Sequence, residues 1–477
     1  IALALRRTRP ELDVVLLEAG EQPGGNHRWS WFATDLDPAG ADLLAKMRTT
    51  GWSDGYDVAF PGHRRTLGTP YRSLASSDFA AALVRELAPG AIRCKAQVDE
   101  LRHDGVVLAG GTQLEARTVI DCRGFAPSAQ LTGGWQVFMG RHLRTAQPHG
   151  LTRPVIMDAR VAQHGAYRFV YVLPLAHDEL FIEDTYYADS PQLDRRALSS
   201  RIDAYCASHG WHGDLLAHET GVLPVVTGGN FAAWQQELRL PGVARAGARA
   251  GFLHPLTSYT LPQAVATAQL IAREADLPGE QLAALLEGEA ARHWSATGFY
   301  RKLGAMLFGA GEPDLRYRIF ERFYRLPEPT VERFYAGRST LADKARVLVL
   351  AIDDVAQSLK VADLAREHFP NLTVVARARN VRHWYALRDR GVRHIERETL
   401  DASLMSARSV LEALGWQPHH ARQLAMRFRR HNVEQLERQW PHHRDEATLV
   451  SMARAGRQQL EELFAQDRAA RDQRGVG

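Results

Sequence analysis

The sequence predicts an α/β protein in which a parallel domain is interrupted by an antiparallel β domain and followed by a second α/β segment. Three observations predict this class. Apolar runs typical of buried parallel strands recur far apart in the chain. Residues 154–187 alternate and are rich in Val, Tyr and Phe, which favours antiparallel strands. Residues 347–399 alternate apolar strands with amphipathic helices.

Length and composition set the broad class. The 477 residues are enough for two or three domains, and 45% hydrophobic with 24% charged residues excludes a wholly disordered chain. Cys94, Cys122 and Cys206 lie far apart without a CxxC spacing. We therefore expect a reducing cytoplasmic setting, no disulfide scaffold and no metal site. No apolar run reaches the roughly 18 residues of a membrane-spanning helix.

The positive charge is confined to the C-terminal part. Residues 1–347 are balanced, so the whole net charge of +4 lies in residues 348–477, where Arg422–Arg430 is rich in arginine. Acidic residues are interleaved with these cations. This pattern favours a solvated helical surface over a nucleic-acid partner.

The first elements are a helix and a buried strand. Residues 1–10 (IALALRRTRP) have the pattern of the second half of an amphipathic helix, and Leu12–Glu18 (LDVVLLE) that of a parallel strand ending in an acid. In a dinucleotide-binding βαβ unit, the acid at this position accepts hydrogen bonds from ribose hydroxyls, and Glu18 occupies it. We expect both ends of the chain to be cut, with the glycine-rich turn about 10 to 15 residues upstream. The alternative is a structural or surface role for Glu18.

Later segments return to the same domain. Glu21–Phe32 is a glycine-bearing loop with two tryptophans and a histidine, and Thr118–Gly124 (TVIDCRG) is a second buried strand ending in a turn. Pro241–Ala268 has the pattern of a strand, a glycine-rich turn and a helix opened by Pro262. Glycine lets the backbone approach a phosphate, and a helix N-terminus supplies free N–H groups. We predict one Rossmann-like nucleotide-binding domain with an insert; glycine turns without a ligand are the alternative.

The insert carries a candidate acid. Its strand Glu179–Tyr186 contains two adjacent carboxylates, Glu183 and Asp184, which alternation sends to opposite faces. We expect one of them to point into an aromatic cavity, where burial raises the pKa of a carboxyl and makes it a general acid near neutral pH. The alternative is an acidic pair that ends an exposed strand. On the preceding strand the aromatic residues share one face and the other residues the opposite face: Tyr167, Phe169 and Tyr171 against Arg168 and Val170.

Collinear motifs over residues 1–348 resemble those of bacterial lycopene beta-cyclases. The motifs are GGNHRWSWF (24–32), VIDCRG (119–124), PVIMDARVAQ (154–163), YRFVYVLPL (167–175), FIEDTYY (181–187), GVLPV (221–225), RAGFLHPLTSYTLPQA (249–264), LGAMLFGA (303–310) and RYRIFERFYRLPEPTVERFYAGRSTLADKARVL (316–348). The resemblance implies an FAD-binding Rossmann-like fold of the aromatic-hydroxylase type.

The resemblance also implies a reaction and a location. An acid protonates lycopene or another linear carotenoid, and each end closes into a beta-ionone ring, giving gamma- and then beta-carotene. FAD in its reduced form stabilises the cation, and NAD(P)H serves only as reductant. The expected location is the cytoplasm, peripheral on the inner face of the plasma membrane, with contact to the membrane and no nucleic-acid partner. Aromatic residues at Trp29–Phe32 and Trp294–Phe308 are candidates for a membrane-facing lip, with buried packing as the alternative.

The resemblance implies roles for individual residues. It makes Glu183 the proton donor, Asp184 its supporting acid and Glu18 the ribose contact. Ser258 stands where relatives often have glycine, which places the geometry of that turn in question. The remaining cofactor-binding residues that it implies are Gly24, Gly25, Asp121, Gly124, Gly247, Arg249, Gly251, His254 and Pro255.

Past Lys344 the chain resembles a different family. AIDD (351–354), EHFP (367–370), ARARN (376–380) and ERET (396–399) are similar to the second half of the nucleotide-binding regulatory domain of glutathione-regulated potassium efflux antiporters. The helical remainder, Asp401–Asp467, is similar to the C-terminal segment of that family. We expect the first strand, Val347–Ile352, to be an unpaired or opportunistically paired edge.

These readings predict three regions. Residues 1–347 form the cyclase-like region, residues 348–400 a partial Rossmann-like domain and residues 401–477 a helical tail. Two alternative functions stay open: a regulatory ligand-binding module of a potassium efflux system, and a flavin-dependent monooxygenase. Within the first region we expect nucleotide-binding parts at about 1–48, 90–130 and 236–300, a substrate domain at about 50–88 and 131–235, and a helical end at 286–347.

Overall fold

The structure is a computed structural model that divides into two compact units, Ile1–Lys344 and Ala345–Gly477. Each unit is described by itself. The residues that the structure describes are 1–309, 313–340, 343, 348–350, 354–368, 370, 374–397 and 399–459. Within them, no helix is long and apolar enough to cross a membrane.

The first unit mixes short parallel and long antiparallel strands with helices. Its strands are β1 (Leu16–Leu17), β2 (Arg28–Phe32), β3 (Thr50–Trp52), β4 (Tyr56–Phe60), β5 (His63–Leu67), β6 (Tyr71–Ala75), β7 (Ile92–Arg93), β8 (Val98–Arg102), β9 (Gly105–Leu108), β10 (Gln113–Glu115), β11 (Ile120–Asp121), β12 (Leu131–Thr145), β13 (Val155–Asp158), β14 (Tyr167–Ala176), β15 (Glu179–Ala188), β16 (Gly213–Gly229) and β17 (Ala244–Arg245). Its helices are α1 (Ala2–Thr8), α2 (Pro38–Leu44), α3 (Ser76–Glu86), α4 (Arg195–Ser208), α5 (Phe231–Glu237), α6 (Leu261–Arg273), α7 (Gly279–Ala296), α8 (Gly298–Gly309), α9 (Tyr317–Phe323) and α10 (Glu328–Tyr335), with short 3-10 turns at Ala33–Asp35, Gly247–Ala250 and Pro313–Leu315.

A seven-stranded sheet is the largest element of this unit. Its strand order is β16-β12-β15-β14-β13-β4-β5, and its pairs are antiparallel except for β13 with β4. The alternating pattern of residues 154–187 forms β13, β14 and β15, which confirms the predicted antiparallel strands. Tyr167 and Phe169 face an aromatic core on one side, while Val170 packs with α4 residues on the other. The sheet is therefore buried on both faces near its centre.

The predicted parallel domain occurs as two separate two-stranded sheets. β1 pairs with β7 and β11 pairs with β17, each over only two residues in parallel register. β1 and β11 are shorter than the apolar runs that predicted them, Leu12–Glu18 and Thr118–Gly124. Each of these strands is paired with its neighbour over two residues only. The predicted helices are present: α1 at the start of the chain and α6 with Pro262 in its first turn. Pro at this position lacks only an N–H that would be unpaired anyway.

The second unit contains the predicted alternation of strands and helices. Its sheet has the order β18-β19-β20 and is parallel throughout, so β18 is an edge strand of this sheet. Of the expected first strand Val347–Ile352, residues 347, 351 and 352 lie outside the described residues. The elements are β18 (Leu348–Leu350), α11 (Val355–His368), β19 (Val374–Ala378), α12 (Val381–Asp389), β20 (His394–Arg397), α13 (Leu400–Ala413), α14 (Pro418–Gln439) and a helix over residues 446–459.

Candidate active site

Two carboxyls lie in one row across the large sheet. On β15, Glu183 lies directly opposite Tyr171 of β14 and Gly140 of β12. On its other side, Gly140 lies opposite Glu219 of β16. Directly opposed residues in an antiparallel sheet project from the same face. Glu183 and Glu219 therefore lie on either side of β12, whose residue in this row is Gly140, which has no side chain.

Glu183 lies on the side of the sheet that carries the main aromatic core, and its side chain is partly exposed. The cluster of Glu183 with the two tyrosines on which its charge acts, Tyr71 and Tyr171, is called the chamber. The hydroxyl of Thr185 donates a hydrogen bond to its Oε1 at 2.7 Å. Burial raises the pKa of Glu183, the charge of Asp184 raises it further, and the hydrogen bond from Thr185 opposes them. Such a carboxyl holds its proton towards neutral pH and can act as a general acid.

Glu219 is more enclosed than Glu183. It is 7% exposed, and the charge of Arg28 acts on its carboxyl. The guanidinium of Arg28 lies 5.4 Å from the ring centroid of Phe181. Burial is the main cause that raises the pKa of Glu219, and the charge of Glu183 raises it further while Arg28 opposes both. The site thus contains two carboxyls that both favour protonation, and a cation that acts on one of them.

Tyrosines form the wall beside Glu183. The hydroxyls of Tyr71 and Tyr259 lie 3.4 Å apart, and the charge of Glu183 acts on both Tyr71 and Tyr171. Burial raises the pKa of all three tyrosines, so they remain neutral. They belong to the main aromatic core or pack against it. Because the faces of aromatic rings attract cations, this chamber combines a protonated acid with surfaces that stabilise a positive charge.

Asp184 lies on the opposite face of the sheet. Its Oδ1 accepts a hydrogen bond from Nε of Arg168 at 2.7 Å, and its Oδ2 accepts one from the hydroxyl of Tyr186 at 3.0 Å. It is fully buried, and burial raises its pKa although Arg168 opposes that shift. Of the two adjacent carboxyls, the structure brings only Glu183 into the chamber.

The loop after β1 has the backbone geometry that its glycines allow. Glu18 follows β1 directly, and its Oε1 accepts a hydrogen bond from the backbone N–H of Gly20 at 2.8 Å. Gly24 and Gly25 have φ angles of +92° and +69°, in the left-handed region that favours glycine. A Cβ on Gly24 would lie 3.0 Å from Cδ1 of Phe79. A side chain at Gly24 would therefore strain the backbone and crowd its neighbour.

A second group of predicted cofactor residues meets at the ends of β11 and β17. Asp121 accepts hydrogen bonds from Nη2 of Arg123 at 2.9 Å and from Nε of Arg249 at 3.0 Å. A Cβ at Gly124 or at Gly247 would meet no atom within 4 Å. Bare backbone beside open space and an anchored arginine are features that a phosphate-containing nucleotide requires. The charge of Arg249 and the open space beside Gly124 and Gly247 fit the phosphate of a nucleotide.

Comparisons with known proteins show the family of the chain. A family model described as lycopene cyclase protein matches residues 1–358. The lycopene beta-cyclase of Pseudescherichia vulneris is 48% identical over 349 residues, which cover 73% of this chain and 89% of that protein. The lycopene beta-cyclase of Pantoea ananas is 41% identical over 350 residues, covering 73% and 90%. The chain belongs to the lycopene cyclase family. The resemblance inferred from the motifs of residues 1–348 is confirmed.

The C-terminal part matches other families. Models of the TrkA-N domain and of the potassium efflux system KefB C-terminal domain match residues 338–397 and 402–476. The glutathione-regulated potassium-efflux system protein KefC of Escherichia coli O157:H7 (strain EC4115 / EHEC) is 39% identical over 127 residues. The match covers 27% of this chain and 20% of KefC. The predicted resemblance is confirmed, for a segment that spans about a fifth of the length of KefC.

In this lycopene cyclase family member, two residues expected to contact the cofactor are enclosed by protein. His254 is 1% exposed; its Nδ1 accepts a hydrogen bond from the backbone N–H of Thr257 at 3.2 Å, and burial lowers its pKa to about 3. The carbonyl of Pro255 accepts a hydrogen bond from the backbone N–H of Val226 at 3.0 Å. Both residues are therefore buried and hydrogen-bonded within the segment that follows β17. Gly251 ends the 3-10 turn with φ of +88°.

Ser258 adopts a backbone conformation that favours glycine. Its φ is +58°, in the left-handed region where residues other than glycine are strained. Its Oγ donates a hydrogen bond to the carbonyl of Pro224 at 2.6 Å. This hydrogen bond offsets part of the strain and explains how serine is accommodated.

The aromatic segments considered as a membrane-facing lip are largely packed inside. Trp31 and Phe32 are each 2% exposed, and Phe299 and Phe308 pack against the main aromatic core. Trp294 stacks on Phe231, with ring centroids 4.7 Å apart. Buried packing therefore accounts for these side chains.

Sequence reasoning missed Glu219 and Arg28. Glu219 lies two residues before the GVLPV motif, and Arg28 lies inside GGNHRWSWF, so both were close to the features that suggested the family. The available signal was an acid directly before an apolar strand segment, Gly221–Val226. Only the register of β16 against β12 places that acid beside Glu183.

Proposed function

We propose that this protein is a lycopene beta-cyclase that closes the ends of lycopene by acid-initiated, redox-neutral ring formation to gamma- and beta-carotene. One observation carries the proposal: Glu183 lies opposite Tyr171 on the aromatic side of the sheet, near Tyr71, and burial there favours the protonated acid. Membership of the lycopene cyclase family supplies the substrate class.

Glu183 initiates the reaction in this proposal. The proton on its carboxyl is transferred to the terminal double bond of the polyene, and the O–H electron pair remains on the carboxylate. A tertiary carbocation forms, and the neighbouring alkene attacks it to close the ring. The chamber assists because aromatic faces attract the cation. Loss of a ring proton completes the product.

FAD is the proposed cofactor, and NAD(P)H the proposed reductant that keeps it reduced. When bound in its reduced form, FAD supplies an electron-rich ring that stabilises a nearby positive charge. Glu18 would accept hydrogen bonds from ribose hydroxyls, and Arg249, anchored by Asp121, would face a phosphate. The backbone at Gly124 and Gly247 would allow the nucleotide a close approach, because no atom fills the space beside it.

A peripheral position on the inner face of the plasma membrane is part of the proposal. Lycopene is a hydrocarbon that partitions into bilayers, so a cyclase must take it from a membrane. The protein would meet that membrane at its surface, from the cytoplasmic side.

Pigment analysis in a lycopene-accumulating bacterial host tests the function. Expression of the full chain is expected to convert lycopene to gamma- and beta-carotene. Accumulated lycopene in cells that contain the folded chain would contradict the proposal, and oxygenated carotenoids would favour a monooxygenase instead. The Glu179→Gln variant, changed on the same strand outside the chamber, is the matched control and is expected to retain activity.

A further inference from the structure

Arg301 is a buried cation outside the chamber, and no carboxyl pairs with it in the part of the chain that the structure describes. It lies on α8 and is 8% exposed. Its Nη1 donates a hydrogen bond to the hydroxyl of Thr297 at 2.9 Å, and that hydroxyl is neutral. The preceding acids on α7, Glu287 and Glu289, pair with other arginines. A buried charge without an opposite charge is costly, so Arg301 needs an explanation.

Aromatic stacking fixes the position of this guanidinium. Its Cζ lies 3.6 Å from the ring centroid of Trp294. Trp294 in turn stacks on Phe231, with ring centroids 4.7 Å apart and planes 16° from parallel. The face of an indole attracts a cation but carries no net charge. The stack therefore holds Arg301 in place without neutralising it.

A cavity opens beside the stack. It contains about 300 Å³ of empty space, part of it continuous with solvent, and its lining is mostly aromatic and aliphatic. Among the described residues that line it, Arg301 is the one with a permanent charge. His293 also lines it, but its Nε2 donates to the carbonyl of Leu253 at 2.8 Å and burial lowers its pKa, so this ring stays neutral. The cavity thus presents one fixed positive charge in apolar surroundings.

We propose that this cavity binds a small anionic group, of the size and charge of chloride, against the guanidinium of Arg301. Attraction between opposite charges is stronger beside an apolar wall than in water, because less water screens it. Gly251 and Pro255, two of the residues expected to contact the cofactor, line the same cavity. The anionic group therefore has two sources to separate by experiment, a free ion and a part of the cofactor. The inference does not rest on the cyclase activity.

The charge of Arg301 favours an anion over a hydrocarbon as the occupant. The aromatic lining alone would suit either. A hydrocarbon would displace the remaining water from the guanidinium without supplying a negative charge, which makes burial of the cation more costly. An anion supplies that charge and can accept hydrogen bonds from the guanidinium donors that face the cavity.

Iodide titration of the full chain, followed by tryptophan fluorescence, tests the site directly. Iodide quenches an indole on contact, and an iodide on Arg301 would lie beside Trp294, on which the guanidinium stacks. At constant ionic strength, set with sodium gluconate, we expect a saturable part of the quenching that chloride displaces. Arg301→Gln should abolish the saturable part, whereas Arg301→Lys, which keeps the charge, should retain it.

Two further variants are controls for the titration. Arg292→Gln changes an exposed arginine of α7 that pairs with Glu289, and it should leave the saturable quenching unchanged. Trp294→Phe should remove the signal but leave the anion bound. Quenching of the full chain that stays linear in iodide, or saturable quenching that Arg301→Gln leaves unchanged, would overturn the inference.

Thermal unfolding supplies a measurement that does not depend on fluorescence. Replacing gluconate by chloride should raise the unfolding midpoint of the full chain until the site is filled, by roughly 2 °C at ten times the dissociation constant. Arg301→Gln should lose this rise, and Trp294→Phe and Arg292→Gln should keep it. If Arg301→Gln does not fold, the displacement of iodide by chloride in the full chain and the loss of signal in Trp294→Phe decide the question.

Addition of FAD separates the two sources of the anionic group. A free ion is the occupant if the midpoint still rises with chloride when FAD is bound. An anionic part of the cofactor is the occupant if FAD abolishes that rise and if Arg301→Gln weakens FAD binding. A full chain that binds the anion but does not cyclise lycopene would refute the proposed function and leave this site intact.

Discussion

Arg168 and Asp184 form a buried ion pair directly behind the proposed acid. Nε of Arg168 lies 2.7 Å from Oδ1 of Asp184, and their side chains are 6% and 0% exposed. Because β15 alternates, this pair and Glu183 are adjacent in sequence but lie on opposite faces of the sheet. In the FIEDT motif, Asp184 therefore compensates the charge of a buried arginine, whereas Glu183 is the proposed proton donor.

Replacing Asp184 is expected to reduce stability and leave the pH profile in place. Asp184→Asn removes the charge that compensates a buried arginine, and breaking such a pair destabilises by about 3–5 kcal/mol. Urea unfolding measures the loss. Glu100→Gln, which breaks the exposed pair with Arg102, is the control and should leave the unfolding midpoint nearly unchanged. A shift of the basic limb of cyclisation without a loss of stability would instead place Asp184 in the chemistry.

Glu183 is expected to make the protein less stable as pH rises. Its pKa is raised in the folded state, so between the ordinary value of about 4.3 and the raised value the folded chain holds a proton that the unfolded chain has lost. The free energy of unfolding then falls by up to about 1.4 kcal/mol per pH unit across that window. Glu183→Gln removes this dependence, so the variant should gain stability relative to the parent between about pH 5 and pH 8. A stability difference that stays constant with pH would refute the shift.

The reaction is expected to be redox-neutral although the proposed cofactor is a flavin. Carotene should form without oxygen when the flavin is reduced, and NADPH should not be consumed in proportion to product, because protonation and ring closure transfer no electrons overall. Gas-tight assays that quantify carotene and NADPH together measure this. Consumption of one NADPH for each ring would instead indicate an oxidoreductase.

Residues 349–477 are expected to be dispensable for ring closure. The chain divides into two compact units at Lys344 and Ala345, and all the groups assigned to the chamber lie in the first unit. A chain ending at Leu348 should therefore cyclise lycopene as well as the full chain, measured by pigment yield for equal amounts of folded protein. The full chain carrying Glu179→Gln controls for expression. If the truncated chain were inactive while the full-length control stayed active, both units would be required for ring closure.

The sequence predicted the parts of the site that depend on local periodicity. Alternation along Glu179–Tyr186 was enough to separate Glu183 from Asp184 and to place one of them among aromatic rings, as observed. The positions of proline and glycine predicted α6 and the turn before it, because these residues determine which φ angles their own backbone can adopt. Such features need no knowledge of distant residues.

Features that depend on the pairing of distant segments were not predictable. Glu219 is 36 positions from Glu183 in the sequence, and only the register of β12 between their strands brings the two carboxyls into one row. The charge of Arg28, which lies on β2 of a different sheet, acts on Glu219. The burial of His254 depends on its packing against Tyr300 and Phe334, which are distant in sequence, and its contact with the cofactor stays a prediction.

Solvent deuterium incorporation tests the central claim, that Glu183 protonates the polyene. When the full chain cyclises lycopene in heavy water, the exchangeable proton of Glu183 is replaced by deuterium, and mass spectrometry should find one deuterium for each ring formed. Glu183→Gln keeps the shape but removes the acid, so it should lower the rate by about 10²–10⁴-fold while retaining bound flavin. Carotene rings formed without solvent deuterium, or formed by Glu183→Gln at the parental rate, would contradict the account.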